Sequence, residues 1–98
     1  MKPKNVNPQN FKVENILFNN GEFSIAYGIW EDGKKYLAMR WNGDNENDSG
    51  YPKAFGNPMW FILTDELTIP ILKSLINIPN VCIDPLIQTI AEKLLKNN

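Results

Sequence analysis

The fold of this chain is decided by residues 22–41, EFSIAYGIWEDGKKYLAMRW. Apolar residues recur at every second position on both sides of Asp32-Gly33, and a period of two is typical of half-buried strands. Asp-Gly between two such runs favours a hairpin turn, because these residues tolerate the backbone conformation that the turn requires. The stretch therefore predicts two antiparallel strands, 22–30 and 34–41.

The neighbouring segments extend this sheet on both sides. Residues 11–18, FKVENILF, are rich in β-forming residues, and Asn19-Asn20-Gly21 predicts a hairpin to the next strand. The apolar residues of 11–18 change sides part-way along, so the strand is either buried on both sides near its end or reset by a bulge. Residues 59–64, MWFILT, form a short apolar run that predicts a fourth strand.

Two helices are expected after the sheet. Thr68 is the predicted N-cap of the first helix, with Pro70 in its first turn, and Pro79 lies just beyond its end. Asp84 and Pro85 begin the second helix. Its apolar stripe consists of Leu86, Ile87, Ile90, Ala91, Leu94 and Leu95. We therefore predict an α+β fold, a four-stranded antiparallel meander sheet followed by two C-terminal helices packed on one face.

The length and the ends of the chain define its organisation. The 98 residues correspond to one domain, with residues 1–10 as a flexible N-terminal arm and residues 11–98 as a single α+β domain. The arm lacks the apolar stretch of a secretory signal, and no run approaches the roughly 20 apolar residues needed to cross a bilayer. One cysteine allows no intrachain disulfide. These features predict a cytoplasmic protein without a membrane partner.

The composition limits the available chemistry. Ten basic and eleven acidic residues balance to a net charge of −1, which disfavours nucleic acid as a partner. There is no histidine, so imidazole bases and metal ligands are absent. Cys82 lies between Val81 and Ile83, as a small buried hydrophobic residue does. The acidic segment 44–48 lacks the glycine and the closing glutamate of a calcium loop. We predict no catalytic residue, no metal and no cofactor.

The alternation of the strands separates two faces of the predicted sheet. The face expected to pack against the helices carries Phe23, Ile25, Tyr27, Ile29, Leu37, Met39, Trp41, Phe61 and Leu63. The other face carries Trp30, Tyr36, Arg40 and Trp60, with the small residues Ala26, Gly28 and Ala38 between them. Such a platform can stack bases, bury against a second subunit or hold a flat ligand. Alternatively, the long loop 44–58 folds across it, and its aromatic residues fill a second small core.

These features give three functional hypotheses and one set of candidate binding residues. The leading hypothesis is a non-enzymatic interaction module that forms a homodimer, or binds another protein, through the open face or the edge of the sheet. The first alternative is binding of single-stranded nucleic acid by the aromatic face. Bases would stack on Trp30, Tyr36 and Trp60, and the residues near phosphates would be Arg40, Lys34, Lys35 and Lys53. The second is small-molecule binding under loop 44–58. The candidate binding residues are Trp30, Tyr36, Arg40, Tyr51, Phe55 and Trp60.

Two resemblances accompany this interpretation. The segments LAMRWNG (37–43) and GYPKAFGNPMWFIL (50–63) resemble small proteins carried by integron gene cassettes and related mobile elements. This resemblance covers about half of the chain and implies no particular activity. The layout alone, four meandering strands followed by a helix, is similar to that of the Whirly and transcriptional-coactivator type of single-stranded-DNA-binding proteins. That likeness implies dimerisation and DNA binding across the sheet, but it assigns no role to any residue here.

Overall fold

The computed structural model describes residues 1–78, which form one antiparallel sheet with a short helix after it. The four-stranded sheet has the order β1-β2-β3-β6, and β4 and β5 form a separate hairpin. The strands are β1 (Phe11–Asn19), β2 (Phe23–Trp30), β3 (Lys35–Trp41), β4 (Lys53–Ala54), β5 (Asn57–Pro58) and β6 (Phe61–Ile62). A 3-10 turn, Asp65–Leu67, leads into the helix α1 (Thr68–Leu75). Within residues 1–78, no helix is long and apolar enough to cross a membrane.

The coarse fold prediction is confirmed. The structure has the predicted four-stranded antiparallel sheet and one C-terminal helix, whereas the second helix, predicted from Asp84, lies outside the described residues. The fourth strand is shorter than the predicted 59–64, because only Phe61 and Ile62 pair with β3. Met59 and Trp60 make other contacts instead: the Met59 amide donates to the Pro52 carbonyl, and the Trp60 indole packs into the interior.

Both predicted hairpins are present, and their turn residues stabilise them. Between β1 and β2, the Asn20 Oδ1 accepts hydrogen bonds from the Glu22 and Phe23 amides, and Gly21 adopts a φ of 95°. Between β2 and β3, Gly33 adopts a φ of 81°. Residues with a side chain rarely adopt these left-handed backbone conformations, so glycine is favoured at both turns.

The pairing of β1 with β2 has two irregularities, and they determine which side chains of β1 lie on each face of the sheet. The register with β2 shifts between Val13 and Asn15 and again between Ile16 and Phe18. Each shift leaves one extra residue on β1 and changes which face the following side chains occupy. Both alternatives are therefore present: bulges reset the phase of the strand, and near its end Leu17 and Phe18 are buried on one side while Ile16 packs on the other.

The sheet carries a hydrophobic core on each face. The helix-side core consists of Leu17, Phe18, Ile25, Leu37, Leu63, Leu72 and Leu75. The second core, on the opposite face, consists of Val6, Phe11, Ala26, Ala38 and Trp60. The N-terminal segment 1–10 contributes to the second core, since Val6 is buried and its carbonyl accepts a hydrogen bond of 2.7 Å from the Trp60 indole Nε1.

Candidate functional site

The sheet face that the sequence suggested as an open platform is covered by other side chains of the chain. Ala26 and Ala38 are fully buried, and Trp60 is only 5% exposed because Val6 and Phe11 pack around it. The loop aromatics Tyr51 and Phe55 do not fill this face, since both are exposed. The second small core thus exists, but its cover comes from the N-terminal segment and from Trp60.

Arg40, the single arginine, is 1% exposed and holds the long loop against β3. Its Nη1 donates to the Met59 carbonyl at 2.6 Å and to the Pro52 carbonyl at 3.5 Å, and its Nη2 donates to the Ser49 carbonyl. The guanidinium carbon lies 5.9 Å from the centre of the Trp60 ring. Burial lowers the pKa of Arg40. All these contacts are within the chain, so this side chain organises the loop from the interior.

Trp30 and Tyr36 pack on each other at the far end of the sheet. Their ring centres are 5.7 Å apart and the rings are nearly perpendicular, a favourable edge-to-face arrangement. The Tyr36 hydroxyl donates to the Asp32 carboxylate at 2.5 Å, and this bond raises the pKa of Tyr36 to about 12. Both rings are half-buried. Among the predicted site residues, the structure therefore brings together Trp30 with Tyr36, and Arg40 with Trp60, in two separate places.

Tyr51 and Phe55 occupy exposed positions in loop 44–58. Tyr51 pairs with Trp41 through two backbone hydrogen bonds, and Lys53 Nζ lies 4.8 Å from the centre of its ring. Phe55 lies at the tip of the β4–β5 hairpin and is completely exposed. Because Trp60 is buried in the second core, these two residues and Trp60 do not line one pocket.

Three exposed aromatic residues lie on the helix side of the sheet. Directly opposed residues of antiparallel strands share a face, so the pairs Trp41–Tyr51 and Met39–Phe61 project from the same side of the sheet. Trp41 is 55% exposed, and Tyr51 and Phe61 are each 61% exposed. We call these three side chains the aromatic surface. Phe23 supports it, since its ring packs edge-on against Trp41 with centres 4.7 Å apart.

The sequence placed Trp41 and Phe61 on the correct face but expected helices to bury them. The length of α1 explains the difference. Eight helical residues span about 12 Å, whereas the seven residues of β3 span about 24 Å. The sequence signals of this short helix are Pro70, which is tolerated only in the first turn, and Pro79, which lies shortly after the helix ends. The aromatic surface lies where β3 extends beyond the helix-side core.

An open cleft of about 420 Å³ adjoins the aromatic surface where β2 begins and β3 ends. It is lined by Glu22, Trp41, Gly43, Asp44, Asp48, Gly50 and Tyr51. The Asp48 carboxylate accepts hydrogen bonds from the Asp44 and Gly50 amides at 3.0 Å each, which lower its pKa and keep it ionised. Within residues 1–78, no group of three or more carboxylate or thiol side chains is arranged to hold a metal ion.

The basic side chains proposed for phosphate contacts are dispersed. Lys35 forms an ion pair with Glu14 at 3.1 Å, and Lys53 lies over Tyr51 near the acidic cleft. Arg40 is in the interior. No basic patch therefore accompanies the exposed aromatic residues of the described chain, although phosphate binding depends on such clusters.

Comparison with known proteins gives no match: no family model matches this chain, and no curated protein or solved structure is significantly similar to it. The resemblance to integron cassette proteins stays a prediction.

Proposed function

We propose that this protein is a non-enzymatic interaction module that forms a homodimer through the aromatic surface of Trp41, Tyr51 and Phe61. The observation that carries the proposal is the exposure of these three large side chains, each more than half accessible, on one side of the sheet. Small monomeric proteins rarely leave such a cluster uncovered. Tryptophan, tyrosine and phenylalanine are also the residues enriched in protein interfaces.

A second copy of the chain is the partner that this surface fits best. A two-fold dimer brings the same patch of both subunits together, so the patch must be complementary to itself. Edge-to-face aromatic pairs meet that requirement, because a ring can present its face to one neighbour and its edge to another. The opposite face of the sheet offers no comparable surface, since its core is closed by Val6, Phe11 and Trp60.

The edge strands of the sheet favour a dimer through the sheet faces over a dimer in which the edge strands of two subunits pair with each other. β1, one edge strand, carries two register shifts and exposed charged residues, Lys12 and Glu14. Bulges and charges on an edge discourage pairing with another strand. On the other edge, β6 pairs through only two residues.

The absence of histidine supports a non-enzymatic role, because the usual general base at neutral pH is missing. The single cysteine and the lack of any possible intrachain disulfide fit a cytoplasmic location, which we include in the proposal.

We also propose that residues from Asp84 onwards form a second helix on the same side of the sheet as α1. The two apolar residues that flank α1, Leu67 and Ile76, are 44% and 54% exposed. The described chain ends at Ile78, which packs on the helix-side core. The apolar stripe predicted for the second helix would cover these residues and leave the aromatic surface for the partner.

Light scattering at micromolar concentration tests the dimer. We expect a mass of twice the 11.2 kDa of one chain. A strict monomer at this concentration would reject the proposal.

A further inference from the structure

The cleft beside the aromatic surface combines two aromatic walls with negative charge. Trp41 and Tyr51 line it, and both rings are more than half exposed. Carboxylates of Glu22, Asp44 and Asp48 complete the lining. The faces of aromatic rings carry negative electrostatic potential and attract cations within about 6 Å of the ring centre. The aromatic rings and the carboxylates of the cleft therefore both favour a positively charged ligand.

No basic side chain lines this cleft in the described chain. The chain's own Lys53 lies next to it, with its Nζ 4.8 Å from the centre of the Tyr51 ring. This intramolecular contact has the geometry of a cation–π interaction, the same kind of contact that a bound cation would make with the ring. The Met1 ammonium is a second cation nearby, since it donates to the Asn42 and Asn45 carbonyls at 2.9 and 3.0 Å. The three carboxylates still exceed these two cations by one charge, so the cleft retains negative charge for an external cation.

The backbone holds the walls of the cleft in place. Trp41 and Tyr51 exchange backbone hydrogen bonds of 2.7 and 3.1 Å. A Cβ atom at Gly50 would collide with the Trp41 carbonyl oxygen, so the loop approaches β3 as closely as only glycine allows. Arg40 fixes the same loop through the Ser49 and Pro52 carbonyls. Preformed walls reduce the entropy lost on binding.

We propose that this cleft binds an organic cation, an ammonium or guanidinium group, between the rings of Trp41 and Tyr51 and the carboxylates of Glu22 and Asp44. An organic cation fits better than a metal ion, because two aromatic rings line the cleft and its carboxylates are not grouped as metal ligands. The cation is either a free amine or a side chain of a basic peptide. Trp41 and Tyr51 also belong to the proposed dimer interface, so a bound cation and a second subunit compete for these two rings.

Tryptophan fluorescence measures the binding directly. Trp41 is the most exposed of the three tryptophans, because Trp30 is half-buried and Trp60 is buried. The probes are choline and, as a control, the neutral alcohol in which carbon replaces the quaternary nitrogen, at constant ionic strength. We expect saturable quenching or enhancement with choline and at least about three-fold weaker binding of the neutral alcohol. Equal affinity for both, or no saturable change with any cation, overturns the inference.

Matched variants separate the cleft from general charge effects. The double variant Glu22→Gln/Asp44→Asn should weaken choline binding about five- to ten-fold. Glu31→Gln/Glu66→Gln removes the same charge from exposed positions outside the cleft and should leave the affinity unchanged. Equal weakening by both pairs would contradict a specific site.

Two further comparisons identify the source of the cation and separate this inference from the dimer. Tighter binding of a trilysine peptide than of choline assigns the site to peptide side chains, and the reverse order assigns it to free amines. Phe61→Ser alters the aromatic surface but not the cleft lining. The Phe61→Ser protein should bind choline at least as tightly as the wild type, whether or not the wild type dimerises.

Discussion

At the scale of single residues, Arg40 shows how burial changes the meaning of a side chain. An arginine next to aromatic residues in a sequence is typical of a phosphate or ligand contact. In the structure its guanidinium donates to the carbonyls of Ser49, Pro52 and Met59 and is inaccessible to solvent. The Arg40 guanidinium is rigid and planar and has several N–H donors, so this one side chain can donate to several loop carbonyls at once.

Arg40→Lys should destabilise the fold by about 1.5–3 kcal/mol. Lysine keeps the charge but cannot present the planar fork, so buried carbonyls lose charge-assisted hydrogen bonds. Urea denaturation measures the change. Lys34→Ala, at an exposed position, is the control and should stay within about 0.5 kcal/mol of the wild type. Equal stability of Arg40→Lys and the wild type would contradict the structural role.

Tyr36 should titrate far above its ordinary pKa of 10.0, near 12. Its hydroxyl donates to the Asp32 carboxylate, and that bond exists only while the tyrosine is protonated. Because the pKa is raised in the folded state, the stabilisation is complete below pH 10 and is lost as the pH rises through about 12. Ultraviolet titration of tyrosinate, with Tyr36→Phe for assignment, measures this pKa.

The matched variant for this prediction is Asp32→Asn. It removes the carboxylate and should return the pKa of Tyr36 towards 10.0. An unchanged titration in Asp32→Asn would mean that the hydrogen bond is not the cause of the shift.

At the scale of elements, local patterns predicted what local physics determines. Alternation in 22–30 and 34–41, and the Asn-Gly and Asp-Gly turns, correspond to β2, β3 and their hairpins in the structure. The local sequence pattern could not predict which residues cover the second face of the sheet. Val6 and Trp60 are 54 residues apart, and their contact depends on the whole chain path. The polar composition of residues 1–10 also concealed the two apolar side chains, Val6 and Met1, that pack at the second core.

The second helix, proposed from Asp84 onwards, can be tested with a proline substitution. Ile90→Pro lies in the middle of the predicted stripe and should cost about 3 kcal/mol, because proline removes a helical hydrogen bond and clashes with the preceding turn. Circular dichroism and thermal melting measure the loss. Asn97→Pro, beyond the stripe, is the control and should have little effect. Identical spectra and melting of Ile90→Pro and the wild type would reject a helix at this position.

At the scale of the whole molecule, the two faces of the sheet differ in how they are covered. One face is closed by the N-terminal segment and Trp60. On the other, α1 covers Ile25 and Leu37 but not the end of β3. The sequence identified the apolar residues of both faces, yet which ones remain exposed depends on the length of the covering element. The candidate binding surface therefore lies on the helix side and not on the predicted platform. Tyr51 is the one predicted binding residue that belongs to it.

The most direct test of the dimer compares two phenylalanine variants by sedimentation equilibrium across micromolar concentrations. Phe61→Ser removes an apolar anchor from each subunit of the proposed interface and should raise the dimer dissociation constant by at least about 100-fold. Phe55→Ser removes a fully exposed ring from the hairpin tip, outside the aromatic surface, and should leave the dissociation constant within about three-fold of the wild type. A dimer that survives Phe61→Ser, or a wild-type protein that sediments as a monomer throughout, would contradict the account.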